Sequence, residues 1–153
     1  ERAALSDDVT KQLSNLMKVD QYFLACAGIL STALETRTRL GKLPNITLEK
    51  ELQTYRDNAC KFLNSVTSPD SELYFEKLEN TYHQLKSDRD VLKENMLTTG
   101  TKGLISLDQM INGIDFITEI KQLNEHWYKA IKILAHLENE TRKEVRDVQE
   151  VSA

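Results

Sequence analysis

Apolar residues recur every three or four positions along four separate stretches of this chain. That spacing places them along one side of an α-helix. Strict alternation of three and four is typical of helices that pack together at a shallow angle. The pattern therefore predicts four helices, over about 6–40, 48–66, 69–99 and 106–148.

Each predicted helix has a seam of apolar side chains that we expect to face the other helices. Asp20 interrupts the first seam and Arg89 the third, and the fourth seam slips by one residue between Ile117 and Ile120. The predicted seam residues are Val9, Leu13, Leu16, Phe23, Ala27, Leu30 and Leu34, then Leu48, Leu52, Tyr55, Ala59, Phe62 and Val66, then Phe75, Leu78, Tyr82, Leu85, Leu92 and Met96, and finally Leu107, Met110, Ile114, Ile117, Ile120, Trp127, Ile131 and Leu134.

Capping residues mark the ends of the predicted helices. Ser6 and Ser106 are good N-cap residues, and Gln109 would complete a capping box with Ser106. Ser68-Pro69 is typical of a helix start. Gly41 suits the end of the first helix, because glycine readily adopts the left-handed conformation needed there.

Short connections between helices force consecutive helices to run antiparallel. The fold class expected is therefore all-α: one domain over 1–153 that forms an elongated, antiparallel, up-down-up-down four-helix bundle. The first and last helices are the longest, and both chain ends should emerge at the same end of the bundle.

Composition narrows the function classes. The net charge of −4 argues against nucleic-acid binding, for which a basic face is expected. The longest apolar run, Tyr22–Leu30, is too short to span a bilayer, and Glu1-Arg2 does not open a signal peptide. The three histidines are scattered and match no catalytic or metal-binding spacing, so we expect no enzyme activity, no cofactor and no metal.

Two cysteines, Cys26 and Cys60, lie equally far from the first interhelical turn and so at one level of antiparallel helices. That position permits a disulfide if the two side chains face each other. The alternative is a pair of free, buried thiols that behave as small apolar residues.

Polar residues gather at the end of the bundle far from the chain termini. Asp20 and Arg89 should be too distant to pair, and each buried charge would need its own partner. Asp20 lies level with Lys132 and His136. Arg89 lies level with the end of the first helix and with part of the fourth.

One hypothesis for this end of the bundle is a pocket for a small, anionic ligand, and the other is a solvated, salt-bridged end of the bundle. The candidate ligand-binding residues are Arg37, Arg39, Arg89, Asn112 and Asp115, with Asp108 nearby.

The stretch Leu78-Glu79-Asn80-Thr81-Tyr82-His83-Gln84-Leu85 has a Leu-x-x-x-Tyr pattern followed by a polar run and the glycine-containing turn Gly100–Gly103. Together with the helix layout, this resembles the third helix of the periplasmic four-helix-bundle sensor domain of bacterial methyl-accepting chemotaxis receptors. Gln122–Lys129, before the charged tail, resembles the fourth helix returning to the membrane. The resemblance extends over nearly the whole chain.

The resemblance implies a homodimer through the first helix, a small molecule bound between helices at the membrane-distal end, and signalling by displacement of the fourth helix. It also implies a periplasmic domain of an inner-membrane protein, with the flanking membrane helices outside this sequence, and a compartment that permits disulfides. The output can be that of a chemoreceptor or of a histidine kinase with the same input module. Amino-acid receptors of the family carry arginines on the distal half of the first helix. Here Ser31, Thr32 and Thr36 occupy that region, which leaves the ligand open. The alternative is a eukaryotic, cytoplasmic scaffold or tethering domain that binds other protein helices.

Overall fold

The computed structural model describes residues 7–65 and 72–151. They form four helices and, within these ranges, no strand: α1 (Asp7–Leu40), α2 (Ile46–Asn64), α3 (Glu72–Thr101) and α4 (Leu107–Val151). The all-α four-helix fold is confirmed, with α1 and α4 the longest helices.

The helices surround α4, which packs against each of the other three. α1 lies along α4 and α2 along α3. Among the described residues, α1 and α2 make no close backbone contact. Phe23 of α1 lies 5.1 Å from Trp127 of α4 between ring centroids, and Leu16 lies beside Leu137. These contacts show that α1 begins where α4 ends. The opposite end, with the α1–α2 and α3–α4 turns, is the distal end below.

Local hydrogen bonds explain where the helices begin and end. The Ser106–Gln109 capping box is confirmed, because each side chain bonds the other residue's backbone N–H at 3.1 Å. Gly41, at a φ of 64°, ends α1 as expected. Asn45 caps α2 by accepting a bond from Leu48 N–H at 2.9 Å, so α2 begins two residues before the predicted start. The predicted caps at Ser6 and Ser68-Pro69 lie outside the described residues.

The predicted seam of α2 is buried, and so is most of that of α3. Phe62 is only 1% exposed, and the core of the bundle forms around it. Phe75 and Tyr82 are half-buried, whereas Val66 lies outside the described residues. The buried members of both seams are Leu48, Leu52, Tyr55, Ala59, Phe62, Leu78, Leu85, Leu92 and Met96.

The predicted seam of α1 is wrong in phase. Six of its seven residues are exposed to solvent, and Phe23 is half-buried against α4. The face that packs on α4 consists of different side chains: Val19, Cys26, Ala33, Thr36 and Leu40. α1 has only one extensive neighbour, and the small residues on the buried face let it lie close to α4. Asp20 is exposed and therefore needs no buried partner.

α4 has two adjoining apolar stripes, because it contacts three helices. Predicted residues such as Ile117 and Ile131 are buried, whereas Leu107 is largely exposed. A second stripe, which the sequence analysis missed, contains Phe116, Leu123 and Ala130. The one-residue slip in the predicted seam of the fourth helix arises because two apolar stripes lie side by side on α4. Gly113 lies inside α4, where a Cβ atom would come within 2.6 Å of the Met96 side chain.

Candidate functional site

The turn between α1 and α2 is held by the buried carboxylate of Glu49. Arg37 donates to it at 2.7 Å, the Leu43 backbone N–H at 3.0 Å and the Gln53 side chain at 2.9 Å. Burial alone would raise the pKa of Glu49, but these hydrogen bonds and the positive charge of Arg37 outweigh burial and hold its pKa below the usual value. Arg37 is therefore engaged in an internal ion pair at the distal end.

Arg39 belongs to a chain of polar groups between α1 and α4. It donates to the hydroxyl of Thr36 at 3.1 Å, and that hydroxyl donates to Glu119 at 2.9 Å. Thr36 is completely buried, and the second carboxylate oxygen of Glu119 is buried with no hydrogen-bond partner among the described residues. Glu119 was not predicted from the sequence, because one acidic residue in a long amphipathic helix carries no distinctive pattern.

The structure does not join the five predicted ligand-binding residues into one site. Arg89 is half-buried on α3 and pairs with the neighbouring Asp90, with 3.0 Å between Nε and Oδ1. On α4, Asn112 is half-buried and Asp115 is exposed. Within residues 7–65 and 72–151, no hydrogen bond or ion pair joins any two of the five. Anion binding by these residues stays a prediction.

A groove of about 520 Å³ lies between α2 and α3 in the distal half of the bundle. Its floor contains the buried side chains of Tyr55 and Leu92. Burial above all raises the pKa of Tyr55, and the nearby charges of Asp88 and Asp90 act in the same direction, against that of Arg89. The complete lining is Ile46, Thr47, Lys50, Glu51, Thr54, Tyr55, Asn58, Asp88, Val91, Leu92 and Asn95.

A second, almost wholly apolar groove of about 440 Å³ lies where α1 stands away from α2. Its lining is Phe23, Cys26, Ala27, Leu30, Leu63, Leu123 and Trp127. The groove continues onto the outer side of α1, where a set of apolar side chains is exposed. We call this set the α1 stripe: Leu13, Leu16, Met17, Leu24, Ala27, Leu30 and Leu34. An exposed apolar surface of this extent on a helix is typical of a protein-binding face.

The stretch that resembles the receptor family forms a contact between α3 and α4. Tyr82 stacks on Tyr128 with 4.2 Å between ring centroids, and the Tyr128 hydroxyl donates to Glu79 at 3.2 Å. Burial, followed by the negative charge of Glu79 and this hydrogen bond, raises the pKa of Tyr128 to about 12. Burial also raises the pKa of Tyr82, and the two stacked tyrosines hold α3 against α4.

The two cysteines are free, so the disulfide is not formed in this structure. Cys26 is buried, with its sulfur 3.7 Å from the Leu123 carbonyl oxygen, and burial raises the pKa of its thiol. Cys60 is exposed on α2. The described side chains also contain no group of three or more His, Cys, Asp or Glu residues placed to hold a metal ion.

In the described ranges, no helix has an apolar stretch long enough to cross a membrane. No protein-family model matches the chain, and no curated protein and no solved structure is significantly similar to it.

Proposed function

We propose that this chain is the ligand-binding sensor domain of a transmembrane receptor similar to the bacterial chemoreceptors, and that it acts as a parallel homodimer through α1. The observation that carries the proposal is the α1 stripe. Leu24 is 67% exposed and Leu34 is 62% exposed, although both belong to a regular apolar pattern on a long helix. Burial of such side chains against a second chain is favourable by roughly 25 cal/mol per Å² of apolar surface.

The α1 stripe has the geometry of a self-complementary helix face. Leu13, Met17, Leu24, Ala27 and Leu34 belong to a series of positions spaced by three and four residues, whose remaining positions hold Asp20 and Ser31. Such a repeat lets two copies of one helix pack along a shared seam. From Leu13 to Leu34 the stripe is about 32 Å long at 1.5 Å per residue. A two-fold axis parallel to α1 would therefore place each stripe residue opposite its own copy.

The arrangement of α1 and α4 supports a role in signalling. The start of α1 and the end of α4 lie at one end of the bundle, so a parallel dimer would direct all four of these helix ends the same way. α4 also packs against every other helix. A small molecule bound between helices would thus alter the packing of α4, and a shift of one packed helix past another is an established form of molecular switch.

A ligand site in the distal half would complete the sensor. The α2–α3 groove lies there, and its volume falls within the range of small-molecule sites, about 300–1,000 Å³. The arginine site predicted from the sequence is a second candidate, and it makes a separate prediction. If Arg89 holds an anionic ligand, Arg89→Leu should abolish a thermal shift produced by small organic acids, with little loss of stability.

Cysteine cross-linking tests the parallel dimer. Leu13→Cys and Leu34→Cys, made separately in a Cys26→Ala/Cys60→Ser background, should each form a disulfide-linked dimer on mild oxidation. Ser87→Cys, at an exposed position on α3, is the matched control and should remain monomeric. If Leu13→Cys links only to Leu34→Cys in a mixture, the helices run antiparallel and the receptor proposal fails. A chain that sediments as a monomer at all accessible concentrations also contradicts it.

The α1 stripe equally suits a scaffold domain that binds a different amphipathic helix. The same sedimentation experiment separates the two functions. A scaffold should remain monomeric alone and form a one-to-one complex with a helical peptide, and Leu24→Glu should abolish that complex. A sensor should form the homodimer without any added peptide, and Leu24→Glu should dissociate it.

A further inference from the structure

The bundle is open on the side between α1 and α2. Consecutive antiparallel helices joined by a short turn usually pack as neighbours. Over α1 (Asp7–Leu40) and α2 (Ile46–Asn64), however, no Cα atom of one helix lies within 8 Å of a Cα atom of the other. The apolar groove of about 440 Å³ occupies this gap, and its lining includes Leu63 of α2 together with residues of α1 and α4. This side of the fold is therefore apolar but not closed.

α1 carries two apolar series that lie side by side around the helix. The first is buried on α4 and recurs every seven residues: Val19, Cys26, Ala33 and Leu40. The second also recurs every seven residues, and each member precedes a member of the first by three: Leu16, Phe23 and Leu30. Three residues correspond to about 300° of rotation, so the two series lie about 60° apart. Two such series suit a helix with two neighbours, whereas in the described part of the chain α1 comes close to α4 only.

The second series faces the gap. Phe23 and Leu30 line the groove, and so does Ala27, which lies between them on the same face of α1. Phe23 lies 20 residues before the turn residue Leu43, and Leu63 lies 20 residues after it, so the two stand at one level of the antiparallel helices. Leu30 is 45% exposed, and Phe23 and Leu63 are half-buried. A modest movement of α1 toward α2 would bring these side chains together.

We propose that α1 is a strap that closes onto α2, so that its first series stays on α4 while Phe23 and Leu30 pack against Leu63. Burial of the groove lining favours closure. The face of α1 on α4 permits the movement, because Cys26 and Ala33 are small and packed helices are able to slide past each other by small amounts. The groove lining contains one α2 residue, Leu63, so the gain on closure is limited and the strap reopens.

Disulfide formation within one chain tests the closure. Cys26→Ala/Ala27→Cys retains the native Cys60, which is exposed on α2 one turn before Leu63. Ala27 lies 16 residues before Leu43 and Cys60 lies 17 residues after it, so the two thiols are nearly level. A disulfide needs its two Cα atoms within about 7 Å of each other, which the open packing does not provide. In a glutathione buffer and at low chain concentration, this variant should form an internal disulfide, identified by mass spectrometry after alkylation of free thiols.

Two further variants make the test specific. Cys26→Ala/Gly28→Cys is the matched control, because Gly28 is exposed, lies outside the groove lining and has open space around a built Cβ atom. Its thiol points about 100° away from that of Ala27→Cys, so it should form at least about tenfold less internal disulfide. Leu63→Glu, added to the Ala27→Cys variant, should lower the yield by a similar factor, because closure would bury its carboxylate.

Trp127 provides a second measurement. It is the only tryptophan of the chain, and it lines the groove. Its fluorescence should be quenched less by iodide in the internally linked chain than in the reduced chain, because α1 then covers the groove. No internal disulfide with Ala27→Cys, or an equal yield with Gly28→Cys, would overturn the proposal. An unchanged yield with Leu63→Glu would also overturn it, since closure would then not depend on apolar packing.

The strap concerns a single chain, so it does not rest on the sensor function. Leu13→Cys and Leu34→Cys report on disulfides between chains, whereas Ala27→Cys with Cys60 reports on a disulfide within one chain. A parallel dimer without the internal disulfide would keep the sensor proposal and reject the strap. The internal disulfide in a chain that stays monomeric would keep the strap and reject the sensor proposal.

Discussion

α1 and α2 carry similar apolar repeats but use them differently. α2 packs against both α3 and α4, and its stripe is buried, with Phe62 and Leu52 each 1% exposed. Among the described residues, the backbone of α1 comes close to that of α4 only. Its buried face consists partly of small and polar side chains such as Ala33 and Thr36, while the α1 stripe faces solvent. The number of neighbouring helices, rather than apolar content, therefore decides how much of a stripe this fold buries.

The largest expected effect tests the buried side of this comparison. Phe62→Ala should lower the free energy of unfolding by about 3–5 kcal/mol, because it removes a fully buried ring and leaves a cavity in the core. Chemical denaturation at low chain concentration measures this change. Leu34→Ala, on the α1 stripe, should change the same quantity by less than about 0.5 kcal/mol. If Leu34→Ala costs as much as Phe62→Ala in the monomer, the α1 stripe is part of the folding core.

The second-largest change in the free energy of unfolding is expected at a buried residue of α4, the helix against which both α1 and α2 pack. Asn124 is 2% exposed, and neither polar atom of its amide has a hydrogen-bond partner among the described residues. Asn124→Leu keeps a similar shape and should raise the free energy of unfolding by about 1–3 kcal/mol, the usual cost of burying an unsatisfied polar group. Asn95→Leu is the control and should not stabilise, because its amide already bonds Glu51. A loss of stability in Asn124→Leu would show that the amide is hydrogen-bonded in solution.

The sequence was sufficient to predict the four helices, their order and the buried stripe of α2. Those features depend on local periodicity and on end signals such as Gly41 and the Ser106–Gln109 capping box. The α1 stripe was assigned to the wrong environment, because periodicity shows which side chains share a face and does not reveal what covers that face. Val19 and Ala33 were not among the predicted seam residues, yet they lie on the buried face of α1.

The candidate sites were less predictable still. Arg37 and Arg89 stand out in a sequence as charges near predicted seams, but the structure pairs them with Glu49 and Asp90. The α2–α3 groove depends on how far two helices separate over several turns. No residue type signals that distance.

A smaller effect is expected where α1 and α2 join, at Glu49. The pKa of Glu49 is lowered in the folded chain, so its carboxylate contributes stability above the unfolded-state pKa, near pH 4.3. This contribution is lost as pH falls through the lower folded-state value. The free energy of unfolding of the native chain should therefore fall more steeply than that of Glu49→Gln between about pH 5 and pH 3. Denaturation curves over this range measure the difference. Asp57→Asn, at an exposed ion pair, should follow the native chain. Parallel curves for Glu49→Gln and the native chain would show that the pKa of Glu49 is not lowered by folding.

The smallest effect concerns Asp20, which interrupts the predicted seam of α1 and is exposed in the single chain. In a parallel dimer Asp20 would face its own copy, and two like charges about 4 Å apart in water repel by on the order of 1 kcal/mol. Asp20→Leu should therefore tighten the dimer about fivefold, as measured by sedimentation equilibrium. Glu35→Leu removes an exposed charge beside the stripe and is the control. An antiparallel dimer about the middle of the stripe would place Asp20 near Ala27 of the other copy instead. Asp20 would then face no second negative charge, and Asp20→Leu would tighten the dimer no more than Glu35→Leu does.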